Sequence, residues 1–356
     1  MARIRILVVE DSATVRNRLV EVLAGDPDIE IVGQAADGKR GIELCQALRP
    51  DVVTMDMMLP TMSGLAATEY IMAYCPTPIL IVSSSTNRGE LFKTYEALAA
   101  GAVDVLDKPT GEEEDGTWER RLLAAVKLVS RIPVITHPRG RYAPRRPAAA
   151  AYSPPAENGD AGDRARVFAI GASTGGPSAI VEVLRNIPAD FDLPILFVLH
   201  INALFGPSFA EWLDGQSSHR VAYARDGDAV IAATGRVVMA PPEHHMVVRD
   251  GRLRLNRDPE RHSCRPSVDT LFESVAAEFG PAAIAALLTG MGRDGAAGLL
   301  AIRNAGGLTI AQDEATSVVY GMPREAHLLG AARRILPLAE IGPYVTSLRR
   351  RVREIA

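Results

Sequence analysis

Cysteine is scarce in this sequence. The 356 residues include three, Cys45, Cys75 and Cys264, and these are widely spaced. An odd and scattered set argues against a disulfide framework and against a cysteine-rich zinc cluster. We therefore expect a protein of a reducing compartment.

Long apolar runs and a strong excess of one charge are also missing. No stretch reaches the roughly 18 apolar residues that indicate a membrane span, so no membrane insertion is expected. The strand-like pattern of Arg3–Val9 begins at once, which argues against a signal peptide. The formal net charge of -4 gives no general attraction to nucleic acid. With 47% hydrophobic residues, the chain is expected to form packed cores and to be soluble in the cytoplasm.

The length of the chain favours two domains. Residues 1–131 alternate short apolar runs with amphipathic stretches, and residues 165–350 resume this rhythm. The alternation predicts an α/β fold of two doubly wound parallel-sheet domains. Residues 132–164 are rich in Pro, Arg and Ala, and we expect them to form a flexible linker.

Polar side chains follow the predicted strands of the first domain, which are Ile6–Val9, Asp51–Met55, Ile79–Ser83 and Val103–Leu106. The carboxyl ends of parallel strands meet at one edge of a sheet, so these side chains are expected in one cleft. Trp118–Val129 is predicted to be the closing helix. The residues at the strand ends are Glu10, Asp11, Asp56, Ser83 and Lys108.

The chemistry of this cleft is that of phosphoryl transfer. Clustered carboxylates repel one another, and Mg²⁺ relieves the repulsion with oxygen ligands. Asp56 can then attack a phosphoryl group, while Lys108 and Ser83 contact its oxygens. A lone Asp at a strand end is more often a helix cap, and a lone Lys is more often a solvated surface group. The presence of all these residues at the strand ends together favours a functional site.

This half resembles a response-regulator receiver domain, a flavodoxin-like fold, over residues 4–130. The resemblance implies that a histidine kinase phosphorylates Asp56 and that Mg²⁺ is required. It adds Met58 to Glu10, Asp11 and Asp56 as metal ligands. Val105 departs from the family, which often has an aromatic residue there. The motifs that carry the resemblance are Glu10-Asp11, Asp56–Gly64, Ser83 and Lys108-Pro109.

A Ser, a His and an Asp follow three apolar runs of the second domain. Ser173, His200 and Asp294 come after the predicted strands Val167–Gly171, Pro194–Leu199 and Ala282–Thr289. Together they are the nucleophile, base and orienting acid of an acyl-transfer site. The Gly-rich turn around Ser173, before a helix over 178–186, would place N–H groups where an oxyanion forms.

Each residue also has a plainer interpretation. Ser173 could cap a helix or belong to a phosphate-binding Gly loop, and Asp294-Gly295 is common in turns. His200 could be a buried structural histidine, although its place beside a Ser at the next strand end favours the base. The other histidines compete less well: His244 and His245 are expected in a loop, His137 in the linker, and His219, His262 and His327 away from strand ends.

These motifs are similar to the catalytic domain of the chemotaxis protein-glutamate methylesterases over residues 166–345, a Rossmann-like fold. The resemblance implies a triad of Ser173, His200 and Asp294, with Thr174 and Met291 beside the nucleophile in an oxyanion role. Residues 201–207 depart from the family, so the resemblance does not predict the lining of the substrate groove. The motifs are Gly171–Gly176, Arg265–Asp269, Leu288–Ala296 and Gly321–Glu325.

The resemblance implies hydrolysis of glutamyl methyl esters on methyl-accepting chemotaxis receptors, and deamidation of specific glutamines, without a cofactor in the esterase. A chemotaxis-type histidine kinase would be the phosphodonor. We hypothesise that the unphosphorylated receiver covers the Ser173 cleft and that phosphorylation of Asp56 opens it. The alternatives are a non-enzymatic receiver-containing adaptor, a receiver-linked DNA-binding regulator, and a nucleotide-binding oxidoreductase built on the Gly loop.

Overall fold

The computed structural model describes residues 3–84, 87–109, 116–132, 134, 165–201 and 204–353. The chain divides into two compact units, Met1–Arg146 and Pro147–Ala356. The expected linker, residues 132–164, lies almost wholly outside the described residues. The predicted boundaries at 131 and 165 therefore stay predictions.

The first unit is built on a parallel sheet of five strands in the order β2-β1-β3-β4-β5. Its strands are β1 (Ile4–Val9), β2 (Ile29–Ala35), β3 (Val52–Met55), β4 (Ile79–Ser83) and β5 (Asp104–Asp107). Its helices are α1 (Ala13–Ala24), α2 (Gly38–Leu48), α3 (Gly64–Tyr74), α4 (Arg88–Ala99) and α5 (Thr117–Val129).

Burial and helix capping explain these elements. Every residue of β3 and β4 is buried, as expected for strands covered by helices on both faces. Four helices begin where a side-chain oxygen accepts a hydrogen bond from an N–H group three residues on. The capping residues are Ser12, Asp37, Ser63 and Asn87.

The second unit has a parallel sheet of seven strands in the order β14-β13-β12-β6-β7-β9-β8. These strands are β6 (Val167–Ala172), β7 (Ile195–Leu199), β8 (Arg220–Tyr223), β9 (Arg236–Met239), β12 (Ala283–Leu287), β13 (Leu308–Gln312) and β14 (Arg334–Leu336). Its helices are α6 (Gly176–Arg185), α7 (Phe209–Gln216), α8 (Val268–Phe279), α9 (Ala296–Asn304), α10 (Met322–Leu328) and α11 (Leu338–Arg353).

A separate antiparallel hairpin joins β10 (His245–Arg249) to β11 (Arg252–Asn256). Asp250 and Gly251 form its two-residue turn, with φ angles of 52° and 67°. Positive φ at both positions matches the twist of hairpin strands, and Gly adopts it without strain. The side chains of Met246, Val248 and Leu253 join α8 in the core on one face of the large sheet.

The predicted fold class, two doubly wound parallel-sheet domains, is confirmed. The three central strands of the second sheet, β12, β6 and β7, are the three apolar runs that precede Asp294, Ser173 and His200. Strands β2, β8, β9, β13 and β14 and the β10–β11 hairpin were not predicted from the sequence. Among the described residues, no helix has both the length and the apolar character that a membrane crossing requires.

Candidate active site and acidic pocket

Ser173 and His200 leave the sheet side by side. Ala172 on β6 is paired with Leu199 on β7, and the next residue of each strand is the Ser and the His. The N–H of His200 donates to the carbonyl of Ala172 at 3.0 Å, which extends the ladder by one step. The parallel register therefore fixes the two backbones next to each other.

The turn after β6 holds Ser173 against the turn after β12. The N–H of Ser173 donates to the carbonyl of Thr289 at 3.0 Å. Gly290 lies so close that a Cβ atom there would be 2.7 Å from Ser173 Cβ and 2.3 Å from Met322 Sδ. Only Gly fits at position 290, because a side chain there would displace either Ser173 or Met322.

Asp294 is bound to the imidazole of His200. Its Oδ2 atom lies 2.9 Å from Nε2 of His200, and the Asp residue is 2% exposed. The carboxylate also accepts hydrogen bonds from the Ser267 hydroxyl at 2.8 Å and from the N–H groups of Val268 and Asp269 at 2.7 and 3.0 Å. Asp294 thus sits on the N-terminus of α8, where the helix dipole favours a negative charge.

The electrostatics favour an imidazolium–carboxylate pair. Burial lowers the pKa of His200, but the contacts with Asp294 and Cys264 outweigh it and raise the pKa to about 9. Burial raises the pKa of Asp294, yet its bonds with His200 and the start of α8 outweigh this and leave that pKa below the usual value. The carboxylate of Asp294 therefore stabilises the imidazolium form of His200. An imidazolium is also the form that a histidine takes after it has accepted a proton as a general base.

The other ring nitrogen of His200 faces a thiol. Nδ1 lies 3.6 Å from Sγ of Cys264. Within the described part of the chain, the hydroxyl of Ser173 has no hydrogen-bond partner, so it is not bonded to His200. Catalytic hydrogen bonds commonly tighten only when substrate binds. Because Nε2 is committed to Asp294, a base role for His200 would fall to Nδ1 of the neutral ring.

The N–H groups of Thr174 and Met291 belong to the two turns that meet at Ser173. Gly175 continues the turn after Ser173 with a φ of 77°, and Gly290 lies directly against Ser173. No acceptor among the described residues takes the N–H of Thr174 or of Met291. Free N–H groups of this kind can stabilise an oxyanion.

The first unit gathers its predicted polar residues at one edge of the sheet. Ligand oxygens of Glu10, Asp11 and Asp56 lie within 4.8 Å of one another. Lys108 Nζ lies 3.0 Å from Asp56 Oδ2 and 2.9 Å from Glu10 Oε2. Asp56 is 1% exposed, and its Oδ2 atom is paired with Lys108. Three buried or clustered carboxylates that share one lysine fit a hard divalent cation such as Mg²⁺.

Burial and charge shift the titration of this acidic pocket. Burial, followed by the neighbouring Asp56, raises the pKa of Glu10 to about 7 against the opposing effect of Lys108. Burial likewise raises the pKa of Asp56, although Lys108 counteracts it. Burial lowers the pKa of Lys108, but the two carboxylates outweigh it and the pKa is raised. The single positive charge of Lys108 does not balance the three acids of this pocket.

Ser83 is engaged elsewhere in this state. Its hydroxyl donates to Glu90 Oε1 at 2.7 Å, and the hydroxyl of Ser84 donates to the same oxygen at 2.8 Å. Glu90 is buried near the start of α4, where Asn87 caps the helix. The hydroxyl that is predicted to contact a phosphoryl group therefore has to leave Glu90 first.

Comparison with known proteins decides the family. A family model described as CheB methylesterase matches residues 168–345, and one described as response regulator receiver domain matches residues 6–115. The protein-glutamate methylesterase/protein-glutamine glutaminase of Nitrosospira multiformis is 42% identical over 351 residues, 97% of each chain. This chain belongs to the CheB methylesterase family.

Other CheB relatives match over nearly the same length. Protein-glutamate methylesterase/protein-glutamine glutaminase 2 of Anaeromyxobacter dehalogenans is 43% identical and covers 98% of this chain and 97% of its own. The protein of the same name from Pseudomonas aeruginosa is 43% identical over 95% of both chains. The resemblance predicted from the motifs is confirmed.

Sequence reasoning missed the residues that hold Asp294 in this CheB protein. Ser267 is fully buried and caps α8, where its hydroxyl also accepts from the N–H of Thr270 at 3.3 Å. A Ser before the apolar positions 268, 271, 272 and 275 indicates a helix start. That signal predicts the cap, but nothing local says that the cap also binds Asp294.

One expectation about the histidines is wrong. His245 was expected in a loop, but it begins strand β10 and is 1% exposed. Its Nδ1 accepts a hydrogen bond from the N–H of Ser267 at 3.2 Å, so it supports the start of α8. His262 lies in a turn rather than at a strand end, 3.2 Å from Asp269, and one of its ring nitrogens is within 4.8 Å of a carboxylate oxygen of Asp294.

The remaining site predictions stay predictions. The side chain of Met58 is 48% exposed and lies 3.7 Å from Lys93 Nζ, so only its backbone carbonyl suits a hard cation. Val105 is buried on β5. Residues 202 and 203 of the atypical segment 201–207, and His137 of the linker, lie outside the described residues.

Proposed function

We propose that this protein hydrolyses glutamyl methyl esters on methyl-accepting chemotaxis receptors with Ser173 as nucleophile, and deamidates specific receptor glutamines at the same site. The observation that carries the proposal is the His200–Asp294 pair at 2.9 Å, next to Ser173 at the adjoining strand end. The printed names of the full-length relatives give both activities. We further propose that it acts in the cytoplasm.

The proposed chemistry uses the arrangement atom by atom. The Ser173 Oγ–H proton passes to Nδ1 of His200 while Oγ bonds to the ester carbonyl carbon. The N–H groups of Thr174 and Met291 hold the oxyanion, and Asp294 stabilises the imidazolium. Nδ1–H then protonates the departing methoxide, which leaves as methanol. A water molecule repeats the sequence on the acyl-enzyme and frees the glutamate and Ser173.

Phosphorylation of Asp56 is proposed to raise this activity, as in a switch domain tied to an enzyme. Glu10, Asp11 and Asp56 would hold Mg²⁺, together with the carbonyl of Met58. When bound, Mg²⁺ supplies the positive charge that lets an anionic carboxylate approach a phosphoryl group. Lys108 then neutralises a phosphoryl oxygen, and the Ser83 hydroxyl moves from Glu90 to another. The phosphodonor is proposed to be a chemotaxis-type histidine kinase.

The test measures methanol released from methylated receptor membranes. We expect Ser173→Ala to abolish release, whereas Ser178→Ala retains it. Ser178 is a matched control because it lies in the first turn of α6, five residues after Ser173, and its hydroxyl donates to the carbonyl of Gly175 at 2.9 Å. Release that survives in Ser173→Ala would refute the assigned nucleophile.

A second arm tests the switch with a small-molecule phosphodonor and Mg²⁺. Release by the unchanged chain should rise, and release by Asp56→Asn should not. An equal rise in both would show that the phosphodonor acts elsewhere. No rise in either, with Asp56 demonstrably phosphorylated, would remove the switch and leave the esterase in place.

A further inference from the structure

A tight turn brings Cys264 to the active-site imidazole. Arg261 and Cys264 exchange two backbone hydrogen bonds of 3.2 and 3.0 Å across this turn. Its two central residues, His262 and Ser263, have φ angles of 54° and 59°, which are unfavourable for non-glycine residues. The fold thus tolerates local strain in a turn whose last residue is the cysteine. Cys264 is partly exposed and therefore accessible to an ion from solvent.

The spacing of the thiol and the imidazole fits a zinc ion. Sγ of Cys264 lies 3.6 Å from Nδ1 of His200. Zinc bonds of about 2.3 Å to sulfur and about 2.05 Å to nitrogen, at a tetrahedral angle, place the two ligand atoms about 3.6 Å apart. A zinc ion could therefore bridge these atoms with little movement of either side chain.

The second ring nitrogen meets the usual requirement of a zinc-bound histidine. Nε2 of His200 is hydrogen-bonded to the Asp294 carboxylate, which can only accept, so Nε2 keeps its proton and Nδ1 offers a lone pair once the imidazolium has lost its other proton. A carboxylate behind a histidine fixes its tautomer and strengthens it as a ligand. Asp294 is itself immobilised by three further hydrogen bonds.

We propose that Cys264 and His200 form a binding site for Zn²⁺, or a similar borderline-soft divalent cation, that switches the esterase off. The Cys264 thiol and Nδ1 of the His200 imidazolium each release a proton to solvent on binding, and water fills the other two positions of the metal. The metal occupies the Nδ1 lone pair that Ser173 needs. Inhibition therefore rests on the proposed function, whereas binding rests on the geometry alone.

This site is chemically distinct from the acidic pocket. Sulfur and imidazole ligands select zinc, whereas the oxygens of Glu10, Asp11 and Asp56 suit Mg²⁺. The two remaining cysteines, Cys45 and Cys75, are at most 1% exposed. A thiolate–metal signal from the folded protein would thus report on Cys264.

Binding is tested on the full-length chain with Co²⁺ as the probe, because a thiolate ligand gives cobalt an intense near-ultraviolet absorption that oxygen ligands do not. We expect this absorption in the unchanged chain, in Ser173→Ala and in Asp56→Asn, and its loss in Cys264→Ser. Excess Zn²⁺ should abolish it. Absence of the absorption in the unchanged chain, or its persistence in Cys264→Ser, overturns the proposed site.

Inhibition is tested by methanol release at increasing Zn²⁺, with each variant compared with its own rate in chelator. We expect reversible inhibition that requires at least about 10-fold more Zn²⁺ in Cys264→Ser, because loss of a metal ligand should weaken binding at least as much as loss of a group that only orients a ligand. Equal inhibition of both proteins overturns the inhibitory role even if cobalt binds. If release proves independent of Ser173, the proposed function fails, and the cobalt result still decides the metal site.

Discussion

Replacement of Asp294 by Asn would test the electrostatic arrangement of the candidate active site most directly. The carboxylate accepts hydrogen bonds from His200, Ser267, Val268 and Asp269. An amide of the same shape has one acceptor oxygen and a nitrogen that only donates. At least one of the buried donors would then face the amide nitrogen, and the imidazole would lose its negative partner.

The structure sets the size of the effect. The pKa of His200 rises from 6.5 to about 9, which corresponds to about 3 kcal/mol of preference for the imidazolium. This stabilisation is complete below pH 6.5 and is lost as the pH rises through about 9, because the folded-state pKa is the higher one. In Asp294→Asn the pKa of His200 should fall by at least about 1 unit, and kcat by about 10⁴.

The assay combines methanol release with an NMR titration of isotope-labelled histidines, in which His200→Gln assigns the signal. Asp269→Asn is the matched control, since Asp269 is fully buried beside Asp294 but contacts His262. Thermal unfolding establishes that both variants are folded. A folded Asp294→Asn protein whose His200 still titrates near pH 9, or whose kcat falls less than about 10-fold, would refute the reasoning.

Four further outcomes follow from the same contacts. Ser267→Ala removes a bond to the acid and the α8 cap, so kcat should fall about 10-fold and unfolding should cost about 1 kcal/mol less, measured by methanol release and thermal unfolding. Gly290→Ala should abolish release by displacing Ser173 while phosphorylation of the receiver persists; intact release would show that the close approach is dispensable. The Glu10 carboxyl, with its pKa near 7, binds a proton in competition with Mg²⁺, so affinity for Mg²⁺ by calorimetry should rise about 10-fold from pH 6 to pH 8, and this rise should flatten in Glu10→Gln. Glu90→Gln weakens the hydrogen bond that the Ser83 hydroxyl donates to residue 90 by about 1 kcal/mol. A beryllofluoride phosphoryl mimic should therefore bind about fivefold more tightly, and unchanged binding would contradict this.

The strands that could be predicted from the sequence are ones that are buried on both faces. Strands such as β4 and β6 are buried along their whole length because helices cover both faces, so they are mostly apolar runs that stand out in a sequence. Strand β2 at the sheet edge alternates with exposed Glu30 and Gln34, and the β10–β11 hairpin carries arginines at its end. Their patterns were too mixed to separate from loops.

The candidate site was predictable to the extent that strand ends carry it. Ser173 and His200 follow buried runs, so the sheet edge alone predicts that they meet. Ser267, Cys264 and Glu90 could not be placed in this way, because they reach their partners through turns and helix starts rather than strand ends. The direction of the His200 ring, with Nε2 on Asp294, likewise depends on side-chain packing that no pattern of residues encodes.

The register of β12, β6 and β7 has a consequence for folding. His200 and Asp294 are separated by 94 positions along the chain, yet they meet because their strands flank the same central strand. Non-local pairings of this kind form late, because closing the long loops costs chain entropy before the contacts can stabilise the fold. Esterase activity should therefore appear only after the middle of the sheet has assembled, so that a nascent or partly folded chain would be catalytically silent.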